Sequence, residues 1–203
     1  MDETIKVFID GSCLNNQKKS NLPVSGGCGG LIIFPDNVKK KFKSELNLEK
    51  ITNNIAELMG FYNSLKIIKK ENELRKKRYF IYIYSDSKYV INIFTKYYRK
   101  WIKDGWALSN GKEPENGALI KEIKNYMDAH KLRVIFNHCE AHTKEPENKN
   151  CKDYFLWKGN NIAHEMAYSA ACELREKLIK KEESEKKNSL KIRIKDKIKG
   201  SKS

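Results

Sequence analysis

Three carboxylates in this 203-residue chain stand where a folded domain would gather them. Asp10 follows the alternating run Ile5–Ile9, Asp86 follows the apolar run Tyr79–Tyr84, and Glu57 lies one turn into a helical pattern opening near Thr52. Ligand sites in open α/β sheets lie beyond the carboxyl ends of strands, where crossing helices leave a crevice. If the first and fourth strands are parallel neighbours, Asp10 and Asp86 face each other there. Three convergent carboxylates repel one another and require cations to neutralise them. Hard divalent ions with oxygen ligands meet that need, Mg²⁺ above all where phosphate is the substrate. A pair of such ions can hold both the attacking and the leaving oxygen of a phosphodiester. Taken singly, each residue reads as a common helix-start Glu or strand-end turn Asp; only their convergence would mean chemistry.

The elements that must position them can be read from periodicity. Ile5, Val7 and Ile9 mark a first strand that stops at Asp10-Gly11-Ser12. The Gly-, Ser- and Pro-rich stretch 20–30 reads as a turn region feeding a second strand, Gly30–Phe34. Lys39–Leu48 reads as a third, so the first three strands form an antiparallel meander. Thr52 is the expected N-cap of a helix on which Ile55, Leu58, Met59, Tyr62, Leu65 and Ile68 recur at helical spacing. A basic linker, Arg75–Arg78, leads to a fourth strand, Tyr79–Tyr84, then to a helix from Ser87 through Phe94 and a closing segment Trp101–Trp106. A helix over 116–129, a fifth strand through Leu132, Val134 and Phe136, a long polar loop and a last helix, 160–181, complete the order βββαβααβα. That order predicts an α/β fold: one mixed five-stranded sheet, three antiparallel strands then parallel additions, flanked by helices. The expected organisation is a catalytic domain over 1–182 and a basic, disordered tail over 183–203.

Charge bounds the partners. Lys and Arg number 41 against 26 Asp and Glu, a formal net charge of +15. Such an excess points to a polyanion, most simply nucleic acid, or to a Lys-rich composition with no such role. No run of residues approaches a membrane span, and Asp2 and Glu3 stand where a leader would be basic, so no membrane partner is expected. Five scattered cysteines without a Cys-x-x-Cys pair suit reduced thiols and an intracellular location, cytoplasm or nucleus.

The words around the carboxylates carry a resemblance. Ile9-Asp10-Gly11-Ser12-Cys13-Leu14-Asn15-Asn16, Thr52-Asn53-Asn54-Ile55-Ala56-Glu57-Leu58 and Ser85-Asp86-Ser87-Lys88-Tyr89-Val90 resemble three motifs of the type 1 ribonuclease H family, in family order. Ala141-His142-Thr143 and Gly159-Asn160-Asn161-Ile162-Ala163-His164-Glu165-Met166-Ala167 resemble the remaining block. The likeness runs from Lys6 to Ala171. It implies that Asp10, Glu57 and Asp86 bind two divalent ions, Mg²⁺ or Mn²⁺, and that His142 moves protons or product. The family's fourth ligand is an Asp, and here that position reads His164. An imidazole offers one neutral nitrogen, which favours a softer ion such as Mn²⁺. A competing alignment through Pro146-Glu147-Asn148…Cys151 puts Asp153 near the same place, one residue out of register. A third grouping, His138, Cys139, His142 and Cys151 around zinc, lacks paired cysteine spacing.

Substrate contacts follow from the same likeness and from chemistry. An RNA–DNA hybrid differs from duplex DNA by 2′-hydroxyls across a wide, shallow minor groove. Asn16, Asn53 and Asn54 suit base edges and sugars there, as does Lys88. Lys96, Arg99, Lys100 and Lys103 lie in a segment resembling the family's basic protrusion, which grips the DNA strand through phosphates. Trp101 and Trp106 are core anchors or part of that grip, and the aromatics of the 143–158 loop have no assigned partner. The first motif begins near residue 6, leaving no room for an N-terminal hybrid-binding domain; the tail is a substitute source of non-specific affinity or a solubilising extension. The expectation is an endonuclease that cuts the RNA strand of RNA–DNA hybrids, acting as a monomer without a small-molecule cofactor and leaving 5′-phosphates. The alternative is a hybrid-binding accessory module whose catalysis His164 impairs.

Overall fold

The computed structural model describes the backbone of residues 4–15, 21–76, 78–141 and 143–200, and side chains as far as Ser189. Strands β1 (Thr4–Leu14), β2 (Ser25–Ile33) and β3 (Lys39–Leu46) form the antiparallel meander. Strands β4 (Phe80–Ser85) and β5 (Arg133–His138) add in parallel, giving one five-stranded sheet in the order β3-β2-β1-β4-β5. The expected fold class is borne out.

Period-2 alternation splits β1 between two faces. Ile5, Val7 and Ile9 are fully buried beneath helix α1 (Asn53–Arg75), with Leu58, Phe61 and Leu65. Phe8 turns to the opposite face and is buried with Leu31 and Ala163 beneath helix α5 (Lys152–Gly200). Helix α4 (Gly117–Ala129) adds Ile120 and Ile123 to the α1 side.

Two strand limits differ from the sequence reading, and both bear on the site. β1 does not stop at Asp10. On its β4 side the last pair is Phe8↔Tyr84, but on its β2 side pairing continues from Asp10↔Gly29 to Leu14↔Ser25. Asp10 therefore lies inside a strand whose parallel neighbour has just ended. β2 in turn begins at Ser25, because its glycines admit a helix rather than make a turn. A Cβ at Gly27 would collide with the backbone of Ala167 and Ala171 in α5, so only glycine permits that approach.

The helices also depart in extent. Thr52 caps α1 as expected, accepting from the Ile55 N–H at 3.2 Å, but the helix runs on through Arg75 and closes at a left-handed Lys76. The helix expected through Phe94 is instead α2 (Lys88–Asn92), a wider π-helical turn (Ile93–Tyr97) and α3 (Tyr98–Lys103). Helix α5 begins eight residues before the expected start and absorbs Tyr154, Phe155 and Trp157. It also continues through the stretch expected to be a disordered tail, with no break at Glu182; residues 160–199 contain neither Pro nor Gly.

Candidate active site

Asp10 is 7% exposed on the α5 face of the sheet. Its Oδ1 accepts from the Gly11 N–H at 2.7 Å, and its Oδ2 lies 2.9 Å from His164 Nδ1. Gly11 brings the second carboxylate close: a Cβ there would collide with the backbone of Ala56 and Glu57, so α1 starts directly against β1. Asn53 pins the same junction, its Oδ1 accepting from the Cys13 N–H at 2.9 Å. The β1–β4 register carries an offset of 76 (Phe8↔Tyr84), and two residues onward the same offset sets Asp86 level with Asp10.

The three carboxylates feel one another. Burial pushes the Glu57 carboxyl up to about 7; a hydrogen bond from Ser87 opposes this, and the charges of Asp10 and Asp86 add to it. The Ser87 hydroxyl donates to Glu57 Oε2 and also accepts from the Val90 N–H at 3.2 Å as the α2 cap. Asp86 Oδ2 accepts from Asn160 Nδ2 at 3.2 Å, and Asn160 Oδ1 accepts from the Cys139 thiol at 3.3 Å. Burial, then the nearby Asp86 charge, pushes that thiol up to about 12. The bond to Asp10 holds the His164 imidazole above its ordinary range, against partial desolvation.

Sequence reasoning passed over Ser87 and Asn160 as site residues and weighed Cys139 only as a zinc ligand. Asn160 was legible, standing one helical turn before His164 and so on the same face. Ser87 adjoins Asp86 and doubles as a cap, and nothing in the sequence marks Cys139 as a partner of Asn160.

A divalent cation suits this donor set. Carboxylates from three elements share one electrostatic site, and their mutual repulsion, visible at Glu57, is what a dication relieves. Among the described residues no three His, Cys, Asp or Glu side chains are already arranged around one ion. Each carboxylate is instead held by its own neighbour: Asp10 by His164, Glu57 by Ser87, Asp86 by Asn160.

The remaining expected residues sort by position. His164 meets Asp10, whereas Asp153 lies 11 residues earlier on α5, about 16 Å along its axis, exposed beside Pro146 and Trp157. Asn54 is half-buried in the first turn of α1, and Lys88 is exposed at the start of α2. Lys96, Arg99, Lys100 and Lys103 are exposed along the π-helical turn and α3. Trp101 and Trp106, centroids 6.4 Å apart, pack against the main core as anchors. In the zinc grouping, Cys139 is engaged with Asn160, and Cys151 accepts from the Tyr154 N–H at 3.3 Å. Asn16 and His142 lie outside the described residues.

The sequence family model for RNase H matches residues 2–156. The chain belongs to the RNase H family. It is 31% identical over 148 residues to the ribonuclease H of Acetivibrio thermocellus, covering 72% of this chain and 88% of that protein. It is 30% identical over 148 residues to the ribonuclease HI of Rickettsia conorii, covering 73% and 86%. Among solved structures it resembles LC9-RNase H1, a type 1 RNase H with the type 2 active-site motif, at a TM-score of 0.64 and 21% identity over 84% of this chain and 73% of that one. It also resembles LC11-RNase H1 in complex with an RNA/DNA hybrid, at a TM-score of 0.58 and 14% identity over 84% and 99%. The chain is thus a ribonuclease H enzyme of RNase H fold. The family match ends before His164, the residue that meets Asp10.

Proposed function

We propose that this RNase H family member is an endonuclease that hydrolyses the RNA strand of RNA–DNA hybrids with the help of two divalent ions. The observation that carries the reading is the grouping of Asp10, Glu57 and Asp86 from three elements, with His164 2.9 Å from Asp10, on a family-matched fold. Asp10, Glu57 and Asp86 would hold the ions, Mg²⁺ or Mn²⁺, and His164 would be the fourth ligand. When bound, such a pair of ions supplies an activated water and stabilises the departing 3′-oxygen, which leaves a 5′-phosphate on the product.

The chain's own residues supply orientation. Ser87 and Asn160 fix the Glu57 and Asp86 carboxylates from outside the site, so less reorganisation remains when the substrate arrives. Asn53, Asn54 and Lys88 lie at the helix starts flanking the carboxylates and suit the sugars and base edges of the RNA strand. Lys96, Arg99, Lys100 and Lys103 form an exposed basic run that suits the phosphates of the DNA strand. Asn16 and His142 keep the roles their motif positions imply, contact with the hybrid and movement of protons or product.

The deciding experiment incubates the pure protein with labelled RNA–DNA hybrid, duplex DNA and duplex RNA, each in Mg²⁺ and in Mn²⁺. Cleavage confined to the RNA strand of the hybrid, with 5′-phosphate ends, is expected. Hybrid binding without cleavage in either ion would leave an accessory binding module as the function.

A further inference from the structure

The sheet face that carries Asp10 also carries a second cleft, of about 360 Å³, beside the first turns of α5. Its rim gathers Lys6 from β1, Lys39 from β3, and Lys149 and Lys158 from either side of the α5 start, and among the described residues no acidic side chain lines it. All four lysines are exposed. Lys149 has an exposed carboxylate nearby, Glu145 at 4.0 Å. The interior is apolar, Leu31, Ile33 and Ile162 lining it with Phe8, Tyr154 and Phe155. Phe155 stands edge-on to the buried Phe8 at 5.2 Å, with Lys6 Nζ 5.0 Å over its ring. Tyr154 lies beside it, with Lys158 Nζ 5.5 Å over its ring.

Four like charges drawn to one apolar cleft repel one another, and none is needed to pack Phe8. A ligand with regularly spaced negative charges and flat apolar faces meets both features. A positively charged groove that tracks a backbone, with aromatic side chains for bases, is the general design of single-strand binding sites. We propose that this cleft binds a single-stranded nucleic-acid segment, bases against Tyr154 and Phe155 and phosphates on Lys6, Lys39 and Lys158. Lys6 is four residues from Asp10 on the same strand face, about 13 Å away, with α5 packed on Phe8 between them, so the cleft is a site separate from the carboxylates. The binding requires no metal and stands independently of the hydrolytic reading above.

The test is fluorescence anisotropy of a labelled 15-nucleotide oligothymidine in EDTA. The wild type is compared with Lys39→Glu/Lys158→Glu and with Lys180→Glu/Lys181→Glu, an equal charge change on an exposed stretch of α5 distant in sequence from the cleft. The cleft variant should bind at least about fivefold more weakly, with a salt slope shallower by about 1.4, two phosphate contacts at about 0.7 each. The control variant should change less than about twofold. Phe155→Leu, which keeps the buried contact apolar, should also weaken binding by several-fold through lost stacking. Equal losses in the two charge variants would reduce the cleft to bulk charge and overturn the proposal. So would saturable binding of thymidine monophosphate as tight as that of the oligomer, or competition by oligoglutamate as effective as by oligothymidine. Cleavage of a blunt hybrid by the cleft variant should match wild type, so failure of strand binding and failure of the hydrolytic reading are separately visible.

Discussion

His164 and Asp10 meet at 2.9 Å across 154 residues of sequence, the imidazole Nδ1 against the carboxylate Oδ2. The contact joins the first strand to the last helix at the one place where β1 has lost its parallel neighbour. The two members differ in setting: the Asp10 side chain is 9% exposed and that of His164 47%. Asp10 is therefore the fixed partner and His164 the adjustable one.

Removing the fixed charge tests the site most directly. Asp10→Asn keeps shape and the buried position while deleting one negative charge. Cleavage of hybrid should fall by at least about 100-fold, while hybrid affinity in EDTA stays within about threefold. A single-turnover assay beside an anisotropy titration checks both, and near-wild-type cleavage would sink the assignment of Asp10.

Glu57 carries a stability prediction. Its carboxyl is shifted from 4.5 to about 7 in the folded protein, chiefly by burial. A carboxyl raised on folding is harmless at low pH and costs stability as pH climbs through that window. Glu57→Gln should therefore stabilise the metal-free protein at pH 8 by about 2 kcal/mol, allowing for solvent screening, and by little at pH 4. Added Mg²⁺ should raise the melting temperature of wild type more than that of the variant. Thermal melts at both pH values, with and without Mg²⁺, give the comparison, and a lower melting temperature for Glu57→Gln at pH 8 would contradict the placement.

The C-terminal segment gives a binding prediction. Residues 186–203 contain eight Lys and Arg against one acidic residue, Asp196. Deleting them should weaken hybrid affinity and flatten its dependence on salt, each lost phosphate contact lowering the slope by about one. Cleavage at saturating hybrid should hardly change. An unaltered salt slope would assign the segment to solubility alone.

How much of this was legible beforehand depends on which physics wrote the signal. The Ile5, Val7, Ile9 alternation and the Thr52 cap are local, and both held. The level stance of Asp10 and Asp86 followed from two strand ends and an assumed parallel pairing, which β1 and β4 make. The errors lay where tertiary contact overrides local preference. Gly27 and Gly29 read as turn residues, yet they are strand residues beneath α5, and only the helix packed on them explains why. Tyr154 and Phe155 read as loop aromatics, yet both lie in the first turn of α5, where Phe155 packs edge-on to Phe8. Asn160 and Cys139 hold Asp86 through a chain of hydrogen bonds between α5 and the end of β5, a relation no spacing rule encodes.

The motif resemblance sets His164 where the family carries Asp, and its neighbour Asp10 bears on what such a departure would do. If it is the fourth ligand, the site carries one anionic oxygen fewer than an Asp would give. Mg²⁺ strongly prefers oxygen, whereas Mn²⁺ accepts nitrogen more readily. Wild type should therefore cleave faster in Mn²⁺ than in Mg²⁺, and His164→Asp should raise Mg²⁺-dependent cleavage and narrow that gap. His164→Ala should lose less than Asp10→Asn, since it leaves all three carboxylates in place. Acid supplies a second reading of the same residue. The bond to Asp10 raises the His164 pKa, so the imidazolium forms at higher pH than for an ordinary histidine. In the metal-free protein that pair stabilises the fold at low pH and loses its effect as pH rises through the raised pKa. For cleavage the sign is opposite, because an imidazolium repels cations and offers no lone pair. At metal concentrations well below saturation, activity should fall as pH drops through the raised pKa of the metal-free site, beginning above the usual value of about 6.5; saturating metal should move that limb to lower pH, and His164→Asp should lack it. Cleavage rates for the three proteins against metal concentration, at pH 6 and pH 8, decide it. If His164→Asp leaves the Mg²⁺ curve unmoved while Asp153→Asn destroys activity, the fourth ligand is Asp153, brought in by a rearrangement of the first turns of α5.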